Sequence, residues 1–262
     1  MSVWLRTLKK APLTGAFFFV AILSAQAAND CSTDAYDEVV TLAKVYDGDT
    51  IKLTDGRKVR FIAVNSPEMG HLERPEQAYA QEAKATIQHL LAKSPVLRLK
   101  FGKVKKDRYK RILAHVFTED GQNLAATLIR RGLGFAIVVP PNTWNVDCYF
   151  SLEAEAKTEG KGIWGHASYE PKSPDELSRQ DTGFRIVEGV VSKVGESRKS
   201  IWLDMGNHFS VRINRKNLVY FAGSSILQLK GRRIRVRGWI AYYNHKLRMT
   251  VNHPAMLKTL DE

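Results

Sequence analysis

"KVYDGDTIKLTDGRKVRFIAV", residues 44–64, decides how the chain folds. Two strand-like runs flank a turn at Asp55-Gly56, the pattern of a β-hairpin. Ile51, Leu53, Val59 and Phe61 share one face only if the loop holds an odd number of residues, as in a three-residue turn with Gly56 left-handed. A two-residue turn sets Ile51 opposite Arg60 and loses the pattern. The segment therefore reads as a barrel-type hairpin with a bulge. Asp47 and Asp49 stand at its head, although Asp is depleted in strands.

On an extended chain the two acids leave the same face, about 6.5–7 Å apart. Their mutual repulsion is relieved by a hard divalent cation, which takes oxygen ligands; those six residues fit a solvated Asp-Gly turn as well. Downstream, "NSPE" at 65–68 adds an amide oxygen on Asn65, a stiff exit at Pro67 and an acid at Glu68. "KKDRYKRILAHVF", residues 105–117, sets Asp107, Arg108, Tyr109 and Arg111 at the start of another strand. Acids for a metal, a spare glutamate and separated arginines are the components of phosphodiester cleavage.

Farther out, residues 76–93 read as a helix, and 96–102 and 111–118 as strands. A helix starting near Asn123 meets a Gly stop and then a strand, and a third helix, 149–161, precedes "GIWG". Residues 167–183, rich in Ser, Pro, Asp and Glu, read as a linker. Five strand-like runs follow, with an apolar segment, 217–228, between the third and fourth, which suits an OB-type barrel. The fold class is mainly β with α (α+β).

In this order, "DGDT" at 47–50, an arginine on the second hairpin strand, "NSPE", "DRYKR", "LIRRGLGFA" and "GIW" at 162–164 resemble the staphylococcal nuclease (thermonuclease) family over about residues 40–166. The resemblance implies an OB barrel with three helices, and a Ca2+-dependent endonuclease acting on DNA and RNA. It implies metal ligation by Asp49, by Asn65 where the family has a second Asp, and by the Ser66 carbonyl, with Asp47 in the outer sphere. Arg60 would grip the scissile phosphate and Arg111 would stabilise the transition state. Glu68 would act as general base, and Arg108 and Tyr109 would touch the terminal phosphate. The 5′-oxygen would leave, giving 3′-phosphate ends. Two departures stand out. Asn65 removes a full charge, which weakens cation binding or selects another divalent ion; and "AIVVPP", residues 136–141, replaces the tyrosines on which the family often stacks a base.

The chain carries 40 Lys and Arg against 27 Asp and Glu. Residues 28–181 balance at 22 of each sign, whereas 182–262 carry 15 basic and 5 acidic residues. That excess favours a polyanion, nucleic acid before an anionic membrane. Trp202, Phe209, Tyr242 and Tyr243 lie among these arginines, the mix that stacks bases and neutralises phosphates, although Trp202 and Trp239 read equally as core. The expected organisation is thus a nuclease-like domain, 40–166, a linker, and a small basic OB-like barrel, 184–258.

Residues 1–27 read as a secretory signal: Arg6, Lys9 and Lys10, then an apolar run too short to span a bilayer comfortably, then Ala25-Gln26-Ala27. The expectation is a secreted or periplasmic monomer with no stable membrane association after cleavage, the alternative being an uncleaved anchor. Export would let Cys31 and Cys148 form a bridge or remain two thiols. His71 reads as a solvated loop residue, and His89, His115 and His166 show no paired spacing. Two functions remain: an exported metal-dependent nuclease, or an envelope nucleic-acid-binding protein that Asn65 has disarmed.

Overall fold

The computed structural model describes residues 31–70, 75–222 and 225–260. The expected leader and His71 lie outside them. Strand β1 (Glu38–Val45) pairs with β2 (Thr50–Leu53), and β2 with β3 (Lys58–Phe61). In the hairpin Ile51 faces Val59 and Lys52 faces Lys58. The Leu53 N–H donates to the Arg57 carbonyl at 2.9 Å, so residues 54–56 form a three-residue turn in which Gly56 takes φ 90°. Ile51, Leu53, Val59 and Phe61 are all buried, as the register argument requires. A further irregularity of register lies in the β1–β2 pairing, between Leu42 and Lys44.

After β4 (Val64–Asn65), helix α1 (Ala80–Leu90) packs Ala83 and Ile87 into the core. It is shorter than the expected 76–93, because Tyr79 adopts the left-handed conformation and interrupts the turn before it. β5 (Val96–Lys106) and β6 (Ile112–Thr118) close the barrel in the order β1-β2-β3-β6-β5, with β3 and β6 parallel. Helix α2 (Leu124–Arg130) starts where Asn123 accepts the Ala126 N–H, an N-cap that satisfies an orphan donor. β7 (Phe135–Ala136) pairs with β4 for only two residues, fewer than "FAIVV" suggested. α3 (Val146–Thr158) begins three residues earlier than expected, and its first turn holds Cys148, which is disulfide-bonded to Cys31.

The second barrel comprises β8 (Gly183–Glu196), β9 (Ser200–Met205), β10 (Phe209–Asn214), β11 (Arg233–Tyr243) and β12 (Lys246–Thr250). It closes in the order β8-β9-β10-β12-β11 with β10 and β12 parallel, the strand order of the first barrel repeated. A short β13 (Leu257–Thr259), absent from the sequence reading, adds to β11. Two 3-10 helices, Arg215–Phe221 and Ile226–Leu229, fill the insertion.

The segment read as a linker is laid down on both barrels. Tyr169 Oη donates to the Ala78 carbonyl at 2.6 Å, Lys172 bridges to Val187, and Leu177 is buried. Phe135 stacks at 4.9 Å on Phe184, which meets Trp239 at 5.2 Å. Beside this apolar seam, Arg237 of β11 donates to both carboxylate oxygens of Glu153 on α3, at 2.7 and 2.6 Å. Glu153 also accepts the Ala136 N–H at 2.8 Å. Among the described residues no helix is long and apolar enough to cross a membrane.

Candidate active site

The head of the hairpin is pressed against α1 and the chain leaving β4. A Cβ built on Gly48 would stand 2.8 Å from the Cβ atoms of Ala83 and Ser66, so only glycine lets the turn sit this close. Asp47 accepts the Asp49 N–H at 2.9 Å, which folds the two acids back on one another. Burial, and after it the charge of Asp49, push the Asp47 carboxyl up to about 7.

Asp49 is buried, and both of its carboxylate oxygens have partners. One carboxylate oxygen accepts the Ser66 N–H at 2.8 Å and the Ser66 hydroxyl at 3.0 Å, and pairs with Arg60 Nη1 at 3.0 Å. The other accepts from Thr50 Oγ1 at 3.0 Å. Arg60 sits opposite Thr50 in the β2–β3 pairing, on the face away from the core. Its Nη1 donates to the Val64 carbonyl at 2.9 Å, and its Nη2 to Asn65 Oδ1 at 3.1 Å. The curved exit from β3 into β4 carries Val64 and Asn65 to the guanidinium and Ser66 to the Asp49 carboxylate.

Arg111 arrives from the turn before β6. Asp107 accepts the backbone N–H groups of Tyr109 and Arg111, both at 2.9 Å, and Arg111 Nε at 2.7 Å. So oriented, Arg111 Nη1 reaches Thr50 Oγ1 at 3.5 Å, at the edge of hydrogen-bond range. Arg108 and Tyr109 form a surface pair beside it, with the guanidinium 4.8 Å from the ring centre. Glu68 is exposed at the mouth. The Gln77 side chain accepts its N–H at 2.8 Å, and its charge helps to raise Asp47.

Asp49 thus joins Asp47, Arg60 and Ser66 directly, Asn65 joins through Arg60 and Arg111 through Thr50, and Glu68 lies close enough for its charge to act on Asp47. Thr50 and Asp107 were missed as positioning residues; the available signal was that Thr50 closes "DGDT" and that Asp107 precedes Arg111 by four positions. The strand after α2 carries no aromatic platform, and Val139 stands half exposed there. The Asp49 carboxylate and the Asn65 amide oxygen both face Arg60, and with the Ser66 carbonyl next in the chain they are oxygen donors of the kind a hard cation takes, with a single carboxylate among them. Among the described residues no three His, Cys, Asp or Glu side chains cluster as metal ligands, so such a site must draw on the amide and the carbonyl.

Comparison with known proteins bears on the family of the chain. A family profile described as "Staphylococcal nuclease homologue" matches residues 58–166. "Endonuclease YncB" of Bacillus subtilis is 37% identical over 135 residues, which cover 50% of this chain and 63% of that protein. "Endonuclease YhcR" of the same organism is 25% identical over 221 residues, 80% of this chain but 18% of that protein. That alignment is too long to stop at the first barrel. This chain therefore spans less than two thirds of either Bacillus relative. "Thermonuclease" of Staphylococcus intermedius is 33% identical over 136 residues, covering 51% of this chain and 80% of that protein. The chain belongs to the staphylococcal nuclease family.

Proposed function

We propose that the protein is an exported, Ca2+-dependent endonuclease that hydrolyses phosphodiester bonds of DNA and RNA. The observation that carries this reading is the hydrogen-bonded cluster of Asp49, Asn65, Ser66 and Arg60 of β3, which Arg111 reaches through Thr50 from the turn before β6. Asp49, Asn65 and the Ser66 carbonyl would hold the cation, with Asp47 behind them, and the cation would neutralise charge on a non-bridging phosphate oxygen. Arg60, already facing the same oxygens, turns its fork to the scissile phosphate, a geometry that guanidinium groups match with two hydrogen bonds. Arg111, locked by Asp107, stabilises the additional charge of the five-coordinate phosphorus. Glu68, exposed beside Asp47, accepts the proton of an attacking water; the P–O5′ bond breaks, the 5′-oxygen takes a proton from solvent and leaves as a hydroxyl, and a 3′-phosphate remains.

The Cys31–Cys148 disulfide supports export, because such bridges persist in oxidising compartments. The protein acts there as a monomer. One observation favours the second reading, a disarmed nucleic-acid-binding protein: Asn65 Oδ1 is neutral and already takes a hydrogen bond from Arg60.

The test is incubation of the leader-free protein with single-stranded DNA and with RNA in Ca2+, with and without chelator. Cleavage that chelator abolishes, and that Arg111→Ala slows by about a hundredfold to a thousandfold, supports the nuclease. Salt-sensitive binding with no cleavage in any divalent ion, restored by Asn65→Asp, supports the disarmed protein.

A further inference from the structure

The second barrel carries a groove that takes no part in the catalytic arrangement. On its outer face Trp202 of β9 stands directly opposite Arg212 of β10. Arg248 of β12 lies one strand beyond. The Arg212 and Arg248 guanidinium carbons are 5.7 and 5.3 Å from the indole centre. Arg212 is pinned there by its Nε, which donates to Ser200 Oγ at 2.8 Å, and Arg248 also lies 4.9 Å from the Tyr243 ring.

The strand order makes this arrangement one-sided. Both arginines belong to strands on one flank of β9, whereas β8 lies on the other and sets Gly195 opposite Trp202. A Cβ there would meet only Trp202, at 3.9 Å, so glycine leaves that flank of the indole without a side chain at the paired position. An open groove of about 310 Å³ runs over the indole from one flank to the other, lined by Lys193 and Gly195 on the β8 side and by Ser210, Lys246 and Arg248 on the far side. Its two acids are engaged: Glu196 is ion-paired with Arg215, and Asp204 accepts from Ser210 Oγ at 2.6 Å.

We propose that this groove binds single-stranded nucleic acid, with a base stacked on Trp202 at the Gly195 flank and phosphates on Arg248, Lys246 and Lys193. An indole bordered by cations is the pairing that single strands require, because stacking is sequence-tolerant and the backbone needs counter-charge. A duplex keeps its base faces buried in its own stack. A flat anionic membrane cannot reach a part-buried ring in a groove. The surrounding charge, 15 basic against 5 acidic residues in 182–262, draws polyanions in. The biological purpose of the groove rests on the nuclease reading, since a second grip would replace the missing base platform near Val139; the binding itself does not.

The experiment measures anisotropy of labelled short oligothymidylate, oligouridylate and a duplex of equal length, in chelator, with the full leader-free chain carrying Glu68→Gln. Single strands bind more tightly than duplex, and the two oligomers show whether deoxyribose or ribose is preferred. Trp202→Ala weakens binding about tenfold, whereas Trp202→Phe retains most of it. Arg248→Ala weakens binding and lowers the salt slope by about 0.7. Lys230→Ala, which removes an exposed charge elsewhere on the same barrel, changes affinity less than twofold. Melting curves of each variant separate lost contacts from lost folding.

Equal losses from Lys230→Ala and Arg248→Ala, duplex bound as tightly as single strand, or anionic vesicles captured in place of oligonucleotide would each overturn the proposal. Failure of the nuclease reading shows up differently, as absence of cleavage while the Trp202 dependence of binding persists.

Discussion

Arg237→Met gives the sharpest test of how the two barrels are joined. Arg237 and Glu153 side chains are 12% and 9% exposed, and Arg237 lies 4.6 Å from the Phe150 ring. Methionine keeps the length and the apolar contact but removes both charge-assisted hydrogen bonds. The Glu153 carboxylate then retains one donor in the structure, the Ala136 N–H. Removing one partner of a buried pair costs about 3–5 kcal/mol, because the remaining charge stays desolvated and uncompensated. For a chain of this size that corresponds to a melting temperature lower by roughly 6–20 °C. Calorimetry of both proteins at neutral pH measures it. The double variant Glu153→Gln, Arg237→Met should recover most of the loss, since the amide oxygen still accepts from Ala136 and no charge is stranded. A fall below about 2 °C in the single variant, or no recovery in the double, would refute the claim that this pair clamps α3 to β11.

Asn65→Asp should tighten divalent-ion binding about tenfold or more by calorimetric titration, because it returns a full charge to the oxygens facing Arg60. Replacing Cys31 and Cys148 by serine should cost about 4–5 kcal/mol by chemical denaturation, given the 117-residue separation that the bridge closes. Burial, and after it the charge of Lys100, hold His115 down to about 3, with the Tyr149 hydroxyl 2.8 Å from Nδ1. A depressed histidine contributes stability that is present above its unfolded value, near 6.5, and lost as pH falls toward 3. Unfolding free energy should therefore drop by about 2 kcal/mol between about pH 7.5 and about pH 5, less so in His115→Phe. His253, also lowered by burial, adds in the same direction.

The hairpin was legible because its evidence is local: four apolar residues with a two-residue period and one glycine settle the register. The side-chain cluster of the candidate site was legible for a related reason, since Asp49, Arg60, Asn65 and Ser66 lie within 18 consecutive positions on one folded-back ribbon. What escaped the sequence depends on pairs that nothing local couples. Glu153 and Arg237 are 84 residues apart and each reads alone as a solvated charge. His115 looked idle, yet it packs against Trp144 and Tyr149, and Tyr149 accepts from Asn123 Nδ2 at 2.8 Å. Residues 167–183 had a linker's composition, but composition does not reveal that Tyr169 and Leu177 find partners on the two barrels. The extent of α1 was misjudged for a backbone reason, the left-handed Tyr79, which propensity does not register.

The neutral acceptor at position 65 has a consequence for the arginine as well as for the cation. Arg60 is tethered by one formal charge, Asp49, and otherwise by dipoles: the Phe61 and Val64 carbonyls and the Asn65 amide. Hydrogen bonds to an ionised partner are roughly twice as strong as those to a neutral one. A carboxylate at 65 would leash the guanidinium twice over; with an amide there, it is released more cheaply. On the proposed reading, the same amide that would loosen the hold on a metal would leave the guanidinium fork readier to swing onto a phosphate.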